Sequence, residues 1–264
     1  MGWREIVRFL RQRNRVIGAV GQPILFWVLF GAGMNQSFQV PGQPFQEYFV
    51  PGIVVLILLF TAIFATISII EDRQEGFLQS VLVAPVPRWT FVFGKIAGGA
   101  ILAVAQGFLF LLLALTLGME LTFLSAIAAL LLMILIAIGL TSLGFCLAWR
   151  LDSTQGFHAI MNLLLMPMWL LSGAFFPVPR RDAAATVGEQ TLHWLMRCNP
   201  VTYAVSGLRQ IFMTSTSSPS LHDSNGLSFA PPFVLCWTVT GIFAVVMMGL
   251  ATHVARNSTQ GDLR

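Results

Sequence analysis

The sequence predicts an all-α, polytopic membrane fold with six transmembrane helices, an amphipathic N-terminal interfacial helix and a cytoplasmic coupling helix after the second span. Three observations carry that expectation. Of the 264 residues 56% are hydrophobic and only 10% are charged, and the mean hydropathy is +0.78. A soluble domain carries about a quarter charged residues, so most of this chain has lipid rather than water as its solvent. The charges fall in clusters, and the apolar runs between them are long enough to cross a hydrocarbon core of about 30 Å. Those runs lie at roughly 16–34, 49–70, 95–118, 121–148, 158–176 and 231–254.

In chain order, the first element is basic and amphipathic. Trp3, Ile6, Val7 and Leu10 recur at i, i+3, i+4 and i+7, while Arg4, Arg8, Arg11 and Arg15 line another face. Such a helix lies in the headgroup layer with its arginines towards anionic lipid. The first span is interrupted by Gln22-Pro23, which predicts a kink. It reads as a retained span: the basic flank is long, and Gly31-Ala32-Gly33 is a weak substitute for a small-residue cleavage site. The third and fourth spans form a helical hairpin turned at Gly118-Met119-Glu120. The stretch 177–230 is expected as one long loop containing the polar tract Thr214–Ser220.

Orientation follows from the bases. One side holds Arg4, Arg8, Arg11, Arg13, Arg15, Arg73, Arg88, Lys95, Arg150, Arg256 and Arg264; the other holds Arg180, Arg181, Arg197 and Arg209. Eleven against four predicts cytoplasmic termini. The same bias accounts for the net charge of +4. No basic stripe with interleaved aromatics exists, so nucleic acid is not an expected partner. Cys146, Cys198 and Cys236 form no CxxC, and His158, His193, His222 and His253 have no metal-ligand spacing.

The most informative stretch is the cytoplasmic one, 71–94. Glu71, Asp72 and Glu75 open it, as suits a helix N-terminus. Phe77, Leu78, Val81 and Leu82 follow at helical spacing, and Pro85 and Pro87 stop the helix.

Glu71-Asp72-Arg73, Glu75-Gly76, Leu78, Leu82, Pro85, Arg88 and Gly94-Lys95 stand in an order that resembles the membrane subunit of ABC-2 type transporters. Leu171–Pro177, followed by Cys198-Asn199-Pro200-Val201-Thr202-Tyr203, resembles that family's outer segment. The resemblance implies a coupling helix at Glu71, Asp72, Arg73, Glu75, Gly76, Leu78, Leu82, Pro85 and Arg88 that docks into a separate ATPase subunit. It implies short hairpin helices closing the external end, with Gly173, Pro177, Asn199 and Pro200 at an extracytoplasmic gate. It also implies a second permease copy or a paralogue, a bacterial inner-membrane location, and export of a drug, lipid or glycan. The long stretch between Pro177 and Ala230 departs from that pattern.

Other features of the sequence agree with a transporter subunit. A P-loop needs a glycine five residues before its Gly-Lys and a Ser or Thr after it. Around Gly94-Lys95 those positions hold Trp89 and Ile96, and no other lysine exists. ATP and Mg are therefore expected in a partner, with no cofactor in this chain. Charge is expected to be absent from the span interiors, with Lys95 at an end, which weighs against an ion-coupled carrier. Gln22, Gln106, Asn162, Ser68, Thr141 and Ser142 are the polar groups available to line a pathway or, for most of them, to bond helix to helix. An intramembrane protease fits poorly, because Ser206-Gly207 and His158 fall on opposite sides. The alternative reading is a non-transporting scaffold or assembly factor for an envelope or respiratory complex. Reversal of Glu71, Asp72 and Glu75 is expected to release the ATPase and leave the spans folded.

Overall fold

The computed structural model describes residues 45–78, 87–116, 121–175, 186–215 and 231–257, together with position 178 and single positions before residue 30. The described segments hold seven helices: α1 (Phe45–Gln74), α2 (Arg88–Thr116), α3 (Phe123–Arg150), α4 (Thr154–Leu170), α5 (Val187–Cys198), α6 (Pro200–Ser215) and α7 (Phe233–Asn257). Among the described residues no strand occurs.

Four of these helices, α1, α2, α3 and α7, are long and apolar enough to cross a membrane. Four of the six expected spans are thus met among the described residues. The first predicted span lies mostly outside the described residues, Gln22 and Pro23 included, though Ile17, Gly21, Ile24, Leu25 and Trp27–Leu29 are helical. Ile24 and Trp27 pack on the core, where the Trp27 ring meets the edge of Phe110. The fifth predicted span is α4, whose 17 residues rise about 26 Å, short of the full hydrocarbon thickness. Within the N-terminal amphipathic element only Val7 and Arg11 are described; Trp3, Arg4, Ile6, Arg8, Leu10 and Arg15 lie outside.

α1 is the hub. The most apolar part of it is 89% buried inside the protein, against 17% for α7. α2, α3, α4 and α6 all pack on it, and α7 closes against α2, α3 and α6. With lipid on the outside, helix association depends on close packing rather than on expulsion of water. Gly144 illustrates it: a side chain there would meet Thr66 at 2.8 Å and the Ile63 backbone at 3.3 Å. Outward faces carry apolar side chains such as Phe93, Ile101 and Leu109 on α2 and Val234, Ile242 and Val245 on α7.

Local chemistry sets the helix starts. Thr122 accepts from the Ser125 N–H and begins α3; Ser153 does the same for α4 through Gly156. Thr186 and Glu189 form a reciprocal capping box at α5. The expected hairpin turn at Gly118–Glu120 lies outside the described residues.

Two predicted boundaries move. α1 continues four residues beyond its apolar run, and α2 begins seven residues before Lys95. Glu71 and Asp72 therefore stand in the last turn of α1, not at the N-terminus of a following helix as the sequence suggested. The 177–230 stretch is likewise no plain loop, since it contains α5 and α6.

Candidate functional site

Two clusters of predicted residues sit at opposite ends of the bundle. At one end, α1 stops at Gly76, whose φ of 74° is left-handed and suits glycine. Its N–H bonds the Arg73 carbonyl at 3.0 Å, and the chain re-enters a helical turn at Phe77 and Leu78. Leu78 is fully buried, whereas Glu75 is exposed and Glu71 half-buried. Leu82 and Pro85 lie outside the described residues.

Asp72 is also fully buried. Lys95 Nζ donates to its carboxylate at 2.5 Å and to Ser68 Oγ at 3.1 Å. The ion pair ties the end of α1 to the second turn of α2, with side chains 0% and 3% exposed. Two expectations are thereby corrected. The bundle does enclose charge, because both helices outrun their apolar segments. The acidic triple reversal is no clean docking test either, since its middle member would place a lysine against Lys95.

The two arginines of the stretch act as caps. Arg73 donates to the Trp149 and Leu151 carbonyls and to Asp152, and its guanidinium lies 5.9 Å from the Trp149 ring. Arg88 donates to the carbonyls of Ala255 (3.1 Å) and Arg256 (2.9 Å). The last carbonyls of a helix lack intrahelical donors and carry the negative end of its dipole, so a guanidinium suits them. Arg73 thus caps α3 and Arg88 caps α7. The segment between them is fastened at each end to a different spanning helix. Arg73→Ala should weaken the end of α3 by about 1–2 kcal/mol, since hydrogen bonds to a charged donor are lost; the exposed Asp152 adds little. Amide exchange at residues 148–152 is expected to quicken about tenfold, with α7 unchanged. Arg88→Ala should give the converse pattern.

At the opposite end, α4 stops at a turn, Leu171–Phe175, that folds back on α1. Trp169 Nε1 donates to the Gly52 carbonyl at 2.8 Å. The Phe49 ring lies between Trp169 and Phe175, at 6.1 and 5.5 Å. Gly52 has no room for a side chain, since a Cβ there would sit 2.7 Å from that of Ala174. Gly173, with φ 77°, turns its carbonyl to the Tyr48 hydroxyl (3.3 Å) and to Arg209 Nη2 (2.9 Å).

Asn199 and Pro200 form the tip between α5 and α6. Asn199 donates from Nδ2 to the Met168 carbonyl and accepts the Val201 N–H at 3.0 Å. Asparagine as cap followed by proline in the first helical position is the expected start of a helix. Thr202 donates to the Leu171 and Met196 carbonyls. The tip therefore sits on the last turns of α4, and Val201, Val205, Leu208 and Phe212 bury α6 among the spans. The structure brings Gly173 and Asn199 to one region; Pro177 lies outside the described residues. Sequence reasoning missed Tyr48, Trp169 and Arg209 here. The recurrence of apolar residues at 201, 204, 205, 208, 211 and 212 was the signal available for α6.

The expected pathway residues separate. Gln106 accepts from Thr61 Oγ1 and joins α2 to α1. Thr141 and Ser142 donate to carbonyls one turn back in their own helix. Asn162 is exposed on α4 beside Leu163.

Comparison with known proteins adds four observations. A family model described as ABC-2 type transporter matches residues 1–213. The putative transport permease ycf38 of Cyanophora paradoxa is 27% identical over 81% of this chain and 73% of its own. The inner membrane transport permease YadH of Escherichia coli (strain K12) is 23% identical over 89% of this chain and 91% of its own. The probable multidrug ABC transporter permease YbhR of the same strain is 27% identical over 67% of this chain and 46% of its own.

Proposed function

Because the chain belongs to the ABC-2 type transporter family, we propose that it is the permease of an ATP-driven exporter whose ATP and Mg are held by a separate subunit. The observation that carries this reading is the double fastening of the cytoplasmic segment. A force applied between Gln74 and Pro87 reaches α3 through Arg73 and α7 through Arg88. It reaches α1 and α2 through the buried Asp72–Lys95 pair. An ATPase docked on this segment would hold a handle on all four long helices.

In this reading the exposed Glu75 and the half-buried Glu71 and Phe77 meet the ATPase, while Asp72, Arg73 and Arg88 transmit. The Leu171–Phe175 turn and the α5–α6 tip close the extracytoplasmic end. The cargo is hydrophobic or amphipathic, a drug, lipid or glycan; of these, a drug is the class in the name of YbhR, a probable multidrug ABC transporter permease. A second copy or a paralogue completes the pathway, the termini face the cytoplasm, and the location is a bacterial inner membrane.

Co-expression with the ATP-binding subunit encoded nearest to it tests the reading. A stable complex in mild detergent is expected, and Glu75→Lys should weaken its association about tenfold, on the scale of a lost charge contact at an interface. No association with the unaltered chain would overturn the permease reading. Unchanged association of Glu75→Lys would remove that residue from the dock.

A further inference from the structure

The two ends of the bundle are held by different chemistry. At the cytoplasmic-facing end a buried lysine meets a buried carboxylate. At the other end the charge is Arg209, which the basic-residue count placed in a loop and which stands instead on α6. Its guanidinium carbon lies 3.9 Å from the centre of the Tyr48 ring, and Nη2 donates to the Gly173 carbonyl at 2.9 Å. The Tyr48 hydroxyl donates to the same oxygen. Three elements, α1, the outer turn and α6, therefore meet at one carbonyl.

Among the described residues no carboxylate pairs with Arg209, and its buried Nε has no hydrogen-bond partner. A guanidinium has five N–H donors and suits bidentate carboxylates. One carbonyl and one aromatic face are a weaker hold. Holding a charge at a bundle end with a dipole and a ring gives a contact that closes the turn and still parts at moderate cost.

We propose that Arg209 is a positioning residue of the outer end: stacked on Tyr48 and bonded to the Gly173 carbonyl, it holds the Leu171–Phe175 turn against α1, and opening of that end requires this contact to part. The inference rests on the reading of the turn as the extracytoplasmic gate. Ser172, fully buried in that turn with its hydroxyl bonded to the Trp169 carbonyl, supplies a near-isosteric reporter as Ser172→Cys.

The test uses the full chain with Cys146, Cys198 and Cys236 replaced by alanine, carrying either Ser172→Cys or the control Ser142→Cys. Ser142 is fully buried in α3. A membrane-impermeant maleimide is applied to spheroplasts and the labelling rate recorded. Arg209→Ala is expected to raise the rate at position 172 about tenfold, the scale of losing one hydrogen bond to a charged group, with no change at position 142. Arg209→Lys, which keeps the charge and loses the planar face, should give a smaller rise. Equal rates with and without Arg209 would overturn the proposal, and so would a parallel rise at position 142. If Arg209→Ala is not recovered from the membrane, Tyr48→Leu carries the same test by removing the aromatic platform. Labelling needs neither ATP nor an ATPase, so this result is separate from complex formation and either reading can fail alone.

Discussion

Lys95→Ala is expected to cost the folded chain about 3–5 kcal/mol, the scale for removing one partner of a buried ion pair. The pair's net worth is much smaller than this, since both ions gave up solvation to form it. What the alanine leaves behind is a carboxylate with 0% exposure and no ammonium beside it. Asp72→Lys should be at least as damaging, because it sets two cations together between α1 and α2. The reversed pair, Asp72→Lys with Lys95→Asp, restores opposite charges and is expected to recover much of the loss. Thermal unfolding midpoints in one detergent, with the yield of monodisperse protein, provide the measurement. If the reversed pair unfolds as readily as the single variants, geometry and the Ser68 contact matter more than charge balance.

The other large effect is expected from Trp169→Ala. The indole is 1% exposed, packs on Phe49 and donates to the Gly52 carbonyl. Truncating a buried tryptophan costs about 3–5 kcal/mol in water-soluble proteins. Here the lower end of that range, about 3 kcal/mol, is expected, because lipid offers no hydrophobic penalty and only packing and the hydrogen bond are lost. Trp169→Phe keeps a ring and loses the N–H, so about 1–2 kcal/mol should follow. Comparing unfolding of the two variants separates the cavity from the hydrogen bond. Equal losses would show that the ring's packing on Phe49 contributes nothing.

The long helices were legible because a run of apolar residues long enough to cross lipid has few other uses. Their ends were not. Hydropathy reports which residues touch lipid, whereas a helix continues for as long as its carbonyls find amide donors. α1 therefore runs on through Glu71, Asp72, Arg73 and Gln74, carrying an acid into the bundle that the composition of the run placed outside. Lys95 stood at the edge of an apolar segment; its partner, 23 residues earlier, becomes visible only when the two helices are folded back on each other.

The roles of Arg73 and Arg88 were hidden for a similar reason. The resemblance placed them in a docking element, and nothing local in the sequence says that their acceptors are carbonyls of α3 and α7. At the opposite end of the bundle, α6 looked like loop because Thr202, Ser206, Arg209 and Gln210 dilute its apolar positions. Its buried stripe had the right spacing, yet the polar remainder masked it. Gly173 and Asn199, singled out by motif, come to one region, and the side chains bonded to the Gly173 carbonyl, Tyr48 and Arg209, belong to separate stretches of chain.

The contact between Arg88 and the end of α7 joins residues 167 and 168 positions apart, which sets an order of events during synthesis. At ribosomal speeds of about 5–20 residues per second, roughly 10–30 s separate the emergence of the arginine from that of its acceptors. Throughout that interval the guanidinium waits at the membrane surface while the helix it will cap has not been made. α7, largely facing outward, is the last of the described helices to be synthesised, and its arrival secures the segment that follows α1 from its second side. A chain stalled or cut before residue 255 would insert most of its apolar length yet leave that segment tethered at one end, a defect that insertion assays would overlook and that a protease directed at that membrane surface would register.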